Sequence, residues 1–294
     1  MLLPAPSAVA ELFKPITWFP PMWAFACGAV ASGVPAGGRL GMIAGGVLLA
    51  GPLVCATSQA VNDWFDRHVD AINEPHRPIP SGRMPGRWGL YLALLWTAVS
   101  AGVAWALGPW AFFAGLLGLA LAWAYSAPPL RLKRNGWWGN AACGLSYEGL
   151  AWVTGTAIMV GGAPGAASLT LALLYSAGAH GIMTLNDFKS LEGDRRMGIR
   201  SLPVSLGPQR AAQVACWTMA LPQAGVVALL LGWGQPLHAA AVAALLAAQA
   251  ALMRRFLAAP VARALWYSGF GVTLYVSGML VAAFALRAAQ GAGT

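Results

Sequence analysis

The chain has 294 residues, of which 58% are hydrophobic and only 9% are charged. An average soluble domain has about 25% charged residues, so this composition excludes a water-soluble globular protein. The net charge is +9, but the basic residues lie in short segments between long apolar stretches. This distribution argues against nucleic-acid binding and is typical of membrane topology. We therefore predict an all-α, polytopic membrane protein with a single domain over residues 1–294.

Nine apolar stretches are long enough to cross a bilayer as helices of about 20 residues. They lie near residues 16–34, 41–61, 88–108, 110–127, 138–160, 167–185, 210–231, 236–253 and 264–286. With nine spans, all lysines and arginines except Arg39 and Arg287 fall on one side of the membrane. The positive-inside rule then places the N-terminus and this basic side in the cytoplasm.

The first of two acidic clusters follows the second predicted span and reads NDWFDRHVDAINEPHRPIPSG over residues 62–82. Asn62, Asp66 and Asp70 are four residues apart, and Asp63 and Asp66 are three apart, so a helix would place them on one face. Like charges at this spacing repel, and we expect a cation to compensate them. Oxygen ligands favour Mg²⁺ or Mn²⁺ over zinc or copper. The cluster therefore predicts a site for one of these ions.

The second cluster reads NDFKSLEGDRRMGIRSLPV over residues 186–204 and closes the sixth predicted span. Asp187 and Asp194 are seven residues apart, which again predicts one helical face, and Glu192 lies between them. Both clusters begin with Asn-Asp, which indicates a weak internal duplication. If they face each other across a helical bundle, they would hold two or more Mg²⁺ ions.

Basic residues accompany both clusters and predict a phosphate ligand, because Mg²⁺ commonly binds through one or two carboxylates plus substrate phosphates. The sequence has no Walker A motif, which argues against nucleotide hydrolysis. Carboxylates, Mg²⁺ and cations at a membrane surface together indicate a lipid diphosphate. The candidate diphosphate-binding residues are Arg67, Arg77, Arg131, Lys133 and Lys189. Tyr125 and Ser126 are further candidates for positioning the diphosphate.

The first cluster, with RPIPSG at 77–82, resembles the first motif of the UbiA superfamily of intramembrane prenyltransferases. GIRS at 198–201 is similar to the second motif. Longer strings, such as DAINEPHRPIPSG (70–82) and YSAPPLRLKRNGWWGN (125–140), resemble the branch of chlorophyll and bacteriochlorophyll synthases. The resemblance implies nine transmembrane helices around a central cavity. It also implies the last step of pigment synthesis, in which a geranylgeranyl or phytyl diphosphate esterifies the propionate of bacteriochlorophyllide or chlorophyllide and releases diphosphate.

The resemblance also implies roles for individual residues. The metal ligands would be Asn62, Asp63, Asp66 and Asp70 in one site and Asp187, Glu192 and Asp194 in the other, with Asp66, Asp70, Asp187 and Asp194 as the catalytic set. Many superfamily members have second-motif aspartates three or four residues apart. The spacing of seven here leaves open which of the last three acidic residues binds metal. Glu148 and His180, in the predicted fifth and sixth spans, are candidates for contacting the pigment, with a packing role as the alternative.

The expected location is a bacterial cytoplasmic or intracytoplasmic photosynthetic membrane, with the active site on the cytoplasmic side. Pigment-binding membrane proteins are plausible partners, whereas nucleic acid is not. Three alternatives stay open. One is a UbiA-type enzyme that prenylates a quinone precursor or haem, which the DAINEP and NDFKSLEGD strings disfavour. The others are an inactive pigment-binding protein and a cation transporter, although transport sites usually lie near the middle of the membrane.

Overall fold

The computed structural model describes residues 3–291, and the predicted all-α class is confirmed. The α-helices within those residues are α1 (Pro6–Phe13), α2 (Phe19–Ala31), α3 (Leu40–Leu48), α4 (Ala56–Asn73), α5 (Trp88–Ala106), α6 (Pro109–Ser126), α7 (Gly136–Gly144), α8 (Ala151–Val160), α9 (Ala166–Asp187), α10 (Leu191–Met197), α11 (Leu202–Leu206), α12 (Pro208–Gly232), α13 (Pro236–Ala258) and α14 (Pro260–Gly291). Several begin on a proline, whose fixed φ and missing N–H suit the first helical turn.

Two π-helical segments join pairs of these helices into longer ones. Leu49–Cys55 connects α3 to α4, and Leu145–Leu150 connects α7 to α8. Pro52 lies inside the first segment and cannot donate a backbone hydrogen bond, which disturbs regular α-helical winding at this point. Residues 40–73 and 136–160 are thus continuous helices, each with a local change of winding.

Seven helices among residues 3–291 are long and apolar enough to cross a membrane. They are Leu40–Asn73, Trp88–Ala106, Pro109–Ser126, Ala166–Asp187, Pro208–Gly232, Pro236–Ala258 and Pro260–Gly291, which correspond to seven of the predicted spans. The first predicted span contains the shorter apolar helix α2, and the fifth corresponds to the interrupted helix 136–160. The count of nine spans therefore stays a prediction.

Small residues allow helices α2 and α8 to pack backbone against backbone. A Cβ atom on Gly28 would lie 2.1 Å from the carbonyl oxygen of Trp152, and one on Gly155 would lie 2.1 Å from that of Phe25. Close approach through glycine is typical of helix packing in lipid. Next to this contact, the buried ring of Trp152 stacks on Tyr175 of α9. This packing fixes α8 and α9, and with them the second acidic cluster.

Candidate active site

A polar cavity of about 340 Å³ lies where α4, α6, α7, α9 and α10 meet. Asn62 and Asp66 of the first cluster line one wall, and Asp187 and Asp194 of the second line another. The remaining polar lining includes Tyr125, Arg131, Lys133, Arg134, Asn140 and Ser190. The structure therefore brings the two acidic clusters to one site, although 124 residues separate their first members.

The predicted common face of the first cluster is divided in the structure. Asn62 and Asp66 line the cavity, whereas Asp63 and Asp70 both contact Arg77. The reason is the pitch of the helix. At 3.6 residues per turn, two steps of four residues rotate a side chain by about 80°, whereas a step of seven brings it back to within about 20°. Asp70 thus shares a face with Asp63, and the prediction that it shares one with Asn62 was wrong.

Asp66 is paired with cations from the segment after α6. Lys133 Nζ lies 2.5 Å from Asp66 Oδ2, and Arg131 Nη2 lies 3.4 Å from Oδ1. Asn62 donates from Nδ2 to Asp66 Oδ2 and to the Ser126 hydroxyl. The side chain of Lys133 is only 9% exposed, and burial lowers its pKa although Asp66 favours the charged form. Lys133 is therefore held close to Asp66 in a poorly solvated position.

Arg77 and Lys14 neutralise the other two aspartates of the first cluster. Arg77 Nη1 lies 2.9 Å from Asp70 Oδ2 and 3.5 Å from Asp63 Oδ1, and Lys14 Nζ lies 2.6 Å from Asp63 Oδ1. Burial disfavours the charge on Arg77, but Asp70 and Asp63 outweigh it and raise the pKa of the guanidinium. Lys14 and Arg77 thus offset much of the repulsion between these carboxylates, which the sequence analysis had expected a metal ion to compensate. Lys14 was missed as a site residue because it lies 49 positions away.

The second cluster does not lie on one helix. Helix α9 ends at Asp187, the chain turns through residues 188–190, and Asp194 belongs to α10. Ser190 at the start of α10 donates to Asp194 Oδ2 at 2.9 Å. The prediction of a single helical face was therefore wrong for Asp187 and Asp194. The turn nevertheless directs both carboxylates into the same cavity.

The carboxylates of Asp187 and Asp194 have neutral partners. Asn140 donates from Nδ2 to Asp187 Oδ2 at 3.0 Å, and Asp194 accepts from Ser190. Neither forms an ion pair with any lysine or arginine in the described part of the chain. Two uncompensated carboxylates in one cavity fit a divalent cation, since each retains free lone pairs. Asn140 was not among the predicted residues, although it is a lone amide in an apolar stretch.

Within residues 3–291, no three His, Cys, Asp or Glu side chains come together closely enough to hold a metal ion. This arrangement is compatible with Mg²⁺, which usually takes one or two carboxylates and completes its shell with water and phosphate oxygens. The residues of the cavity therefore fit a metal that binds together with a phosphorylated substrate.

Among the predicted residues outside the cavity lining, three others have partners of their own. Arg67 packs over the ring of Trp64 at 4.1 Å and donates to its backbone oxygen. Lys189 is exposed and contacts Asn186 Oδ1 at 3.4 Å. Glu192 is exposed and pairs with Arg196 at 3.0 Å. In this state of the structure, none of these side chains is directed at the carboxylates, so their assigned roles stay predictions.

The two candidate pigment residues are placed differently from each other. Glu148 lies in the π-helical segment 145–150, is 4% exposed, and its Oε2 atom has no hydrogen-bond partner among the described residues. His180 packs against the ring of Trp137, with 5.5 Å between ring centroids. Neither lines the polar cavity. A packing role for His180 agrees with this contact, and the role of Glu148 stays open.

An apolar cavity of about 200 Å³ extends from the polar one and shares Asn62 and Tyr125 with it. Both π-helical segments contribute to its wall, through Cys55 of the first and Tyr147 of the second. The other lining residues include Pro21, Val54, Gly118, Leu121, Ala122, Ala142, Cys143 and Met183. The resemblance implied a central cavity, but its apolar lining residues were not predicted, because lining and packing residues have the same apolar character. The available signal was the set of isolated polar residues such as Gln59, which donates to Tyr147.

Comparison with known proteins extends these observations. Residues 17–270 match the model of the UbiA prenyltransferase family. The chain is 59% identical over 285 residues to the bacteriochlorophyll synthase 33 kDa chain of Cereibacter sphaeroides, covering 97% of this chain and 94% of that one. It is 38% identical to the chloroplastic chlorophyll synthase of Arabidopsis thaliana, covering 94% and 73% respectively.

The fold is similar to that of solved structures. A UbiA homologue from Archaeoglobus fulgidus, solved with GPP and Mg²⁺, superposes with a TM-score of 0.73 at 19% identity, covering 96% of this chain and 99% of that one. A structure of digeranylgeranylglyceryl phosphate synthase gives a TM-score of 0.70 at 18% identity, covering 95% and 98%. At these identities the likeness supports the fold.

Proposed function

Because the chain belongs to the UbiA prenyltransferase family, we propose that it is a bacteriochlorophyll synthase. The reaction is the esterification of the bacteriochlorophyllide propionate by an isoprenyl diphosphate, with release of diphosphate. The identity of 59% to a bacteriochlorophyll synthase, against 38% to a chlorophyll synthase, supports bacteriochlorophyllide over chlorophyllide as the acceptor. Because both of these relatives are pigment synthases, a pigment acceptor is favoured over a quinone precursor or haem.

The observation that carries this proposal is the junction of the two cavities at Asn62 and Tyr125. An isoprenyl diphosphate has a polyanionic head and an apolar tail. The polar cavity supplies Arg131, Lys133 and Arg134 for the head, and the apolar cavity fits the first part of the tail. The reacting carbon, which joins head to tail, would then lie near the junction.

Mg²⁺ or Mn²⁺ would be held by Asp66 and Asn62 on one side and by Asp187 and Asp194 on the other. A divalent ion supplies charge neutralisation that makes diphosphate a better leaving group. Lys133 and Arg131 would stabilise the negative charge that develops on the leaving diphosphate. Asp63 and Asp70 would support the first site by holding Arg77 and Lys14 in place, and they become ligands only if these ion pairs open. Glu192 would join the second site only after release from Arg196.

The reaction exchanges one carbon–oxygen bond for another. The allylic bond between C1 and the diphosphate oxygen breaks, both electrons leave with the diphosphate, and a carboxylate oxygen of the acceptor bonds to C1. The propionate is ionised at neutral pH, so the step needs no strong general base. The apolar wall around Cys143 and Tyr147 would keep water from the electron-deficient carbon.

We further propose the bacterial cytoplasmic or intracytoplasmic membrane as the location, with the polar cavity on the cytoplasmic side. Segments 127–135 and 188–201, which border this cavity, carry seven of the 18 lysines and arginines, which favours this orientation. Geranylgeranyl and phytyl diphosphate are both suitable donors for the cavity. Association with pigment-binding membrane proteins is consistent with the hazard of a free chlorin.

The test is a prenylation assay on the purified protein with Mg²⁺, geranylgeranyl diphosphate and bacteriochlorophyllide a. The parent is expected to form esterified pigment, and Asp66→Ala and Asp194→Ala are each expected to reduce kcat by at least about 100-fold. Arg87→Met, at an exposed residue outside both cavities, is the control for a folded variant at the same end of the molecule. Product with a quinone precursor but with neither pigment acceptor would contradict the proposed acceptor. Failure to consume any prenyl diphosphate would contradict the enzymatic function.

A further inference from the structure

A third cavity, of about 310 Å³, lies beside the polar one and is lined by arginines without any carboxylate. Its charged residues are Arg131, Arg134 and Arg200, and Trp138 and Leu130 form its apolar rim. Arg131 and Arg134 also border the polar cavity, so the two cavities share this wall. We refer to this third cavity as the arginine pocket.

Backbone pairing fixes two of the arginines next to each other. The Arg200 N–H donates to the Arg134 carbonyl oxygen at 3.0 Å, and the Gly136 N–H donates to the Arg200 carbonyl oxygen at 2.9 Å. This short parallel bridge clips the segment before α7 to the segment after α10. Both side chains are exposed, and neither has an ion-pair partner in the described ranges. Two neighbouring guanidinium groups without a counter-ion favour an anionic ligand.

Arg131, which lines both cavities, adds a further unpaired donor beside the arginine pocket. It adopts a left-handed backbone conformation with φ of 42°, which costs energy in a residue other than glycine. Its Nε atom is buried and has no hydrogen-bond partner within residues 3–291. A buried donor without a partner is costly, and an acceptor such as a phosphate oxygen would satisfy it.

The apolar rim indicates the source of the phosphate. Trp138 and Leu130 are each 65% exposed, and Trp138 lies in the first turn of α7, where the interrupted membrane helix 136–160 begins. Tryptophans at such positions lie at the level of the lipid head groups. Basic pockets at this level bind the head groups of anionic lipids. We propose that the arginine pocket binds the phosphate of an anionic phospholipid, with the start of an acyl chain against Trp138.

The arginine pocket shares Arg131 and Arg134 with the proposed diphosphate site, but lipid binding can be tested without substrates. Delipidated protein in detergent is titrated with dioleoyl-phosphatidylglycerol or dioleoyl-phosphatidylcholine, and bound lipid is counted by native mass spectrometry. The parent is expected to bind one phosphatidylglycerol in preference to phosphatidylcholine. Arg134→Gln/Arg200→Gln is expected to weaken this binding by about 30-fold, the loss for two arginine–lipid contacts.

The matched control is Arg210→Gln/Arg254→Gln, which removes two exposed arginines from other helices and is expected to bind the lipid as the parent does. If Arg134→Gln/Arg200→Gln fails to fold, Arg134→Lys/Arg200→Lys is used instead. It keeps the positive charges but not the planar guanidinium groups, and weaker lipid binding than in the parent is still expected. Equal lipid binding by parent and arginine-pocket variants would overturn the proposal. Displacement of the lipid by inorganic phosphate at equal affinity would also overturn it. If the arginine-pocket variants selectively lost geranylgeranyl diphosphate binding, the pocket would belong to the prenyl donor, and the proposal would again be overturned.

Discussion

The ammonium group of Lys133 lies 2.5 Å from Oδ2 of Asp66, although 67 residues separate the two in the chain. The lysine thus contacts a carboxylate that would otherwise be available to a divalent cation. Metal and lysine compete for Asp66, whereas a bound diphosphate offers the lysine a different anion. Metal binding and diphosphate binding should therefore be coupled, and by thermodynamic reciprocity each should strengthen the other.

Replacement of Lys133 by methionine tests this competition. Because the carboxylate loses its cation, we expect Lys133→Met to bind Mn²⁺ about tenfold more tightly than the parent without diphosphate. Prenyl transfer should fall by about 100-fold, because a cation that stabilises the leaving group is lost. Free Mn²⁺ is measured by electron paramagnetic resonance, and Arg87→Met, at an exposed residue outside both cavities, is the control. Unchanged or weaker Mn²⁺ binding by Lys133→Met would contradict the competition.

The contact between Asp70 and Arg77 should stabilise the fold independently of metal. We expect a double-mutant cycle of Asp70→Asn and Arg77→Met to give a coupling energy of about 1–3 kcal/mol in the free energy of unfolding. The measurement is denaturation in mixed micelles of SDS and a mild detergent, with EDTA present. The cycle of Asp66→Asn and Arg77→Met is the control, because the structure shows no ion pair between those residues. Equal coupling energies in both cycles would contradict a specific contribution of the Asp70–Arg77 contact and would indicate a general electrostatic effect instead.

Gly118 should influence the length of the prenyl donor. It lines the apolar cavity, where an added Cβ would lie 3.5 Å from Val54 and 3.8 Å from Leu150, so a side chain can be accommodated. We expect Gly118→Leu to raise the KM for geranylgeranyl diphosphate about tenfold, because the leucine side chain fills part of the cavity that the prenyl tail would occupy. The KM for geranyl diphosphate should change less. Gly102→Leu, where an added Cβ meets no atom within 4 Å, is the control; equal effects of the two variants would contradict a role for this cavity.

The ion pair between Glu11 and Arg83 should contribute a small, pH-dependent stabilisation. The two nitrogens of Arg83 lie 2.6 and 2.9 Å from the two carboxylate oxygens, and this hydrogen bonding lowers the pKa of Glu11. Because the pKa of Glu11 is lower in the folded state, the ion pair contributes its full stability at pH values above the unfolded pKa of about 4.3. This contribution to stability is lost as the pH falls through the folded pKa. Glu11→Gln should therefore lower the thermal midpoint at pH 7 by about 1–2 °C, and this difference should shrink as the pH falls below the unfolded pKa and through the folded one. A difference that persists at low pH would assign the effect to packing.

The sequence predicted that the two acidic clusters could meet at one site, whereas the shared helical faces predicted from residue spacing were partly wrong. Helix α4 continues through Asp70 to Asn73, and Asp66 and Asp194 line one cavity. The partners of the carboxylates could not be predicted, because they depend on distances between segments far apart in the chain. Lys14 reaches Asp63 only because α1 packs beside α4. The sequence alone provides no local pattern for such a contact.

The break between α9 and α10 shows a different limit. Asp187 and Asp194 have helical spacing, and no proline or glycine separates Phe188 from Ser190 to mark an end of the helix. The turn depends instead on hydrogen bonds made by Ser190, which competes for the backbone as short polar side chains do. The apolar cavity has a similar explanation, since the outline of an enclosed space depends on how several helices pack.

The π-helical segment 49–55 determines the direction in which the first motif points. Relative to regular winding, a π turn accommodates one additional residue, and one residue corresponds to a rotation of about 100° around the helix axis. The orientation of Asn62 and Asp66 therefore depends on residues outside the motif, in a stretch that carries no charge. Deleting one residue between 49 and 55 would leave every motif residue in place in the alignment and yet turn the motif away from its cavity. In families with this architecture, insertions and deletions at such a position are more informative about activity than substitutions of the apolar residues themselves.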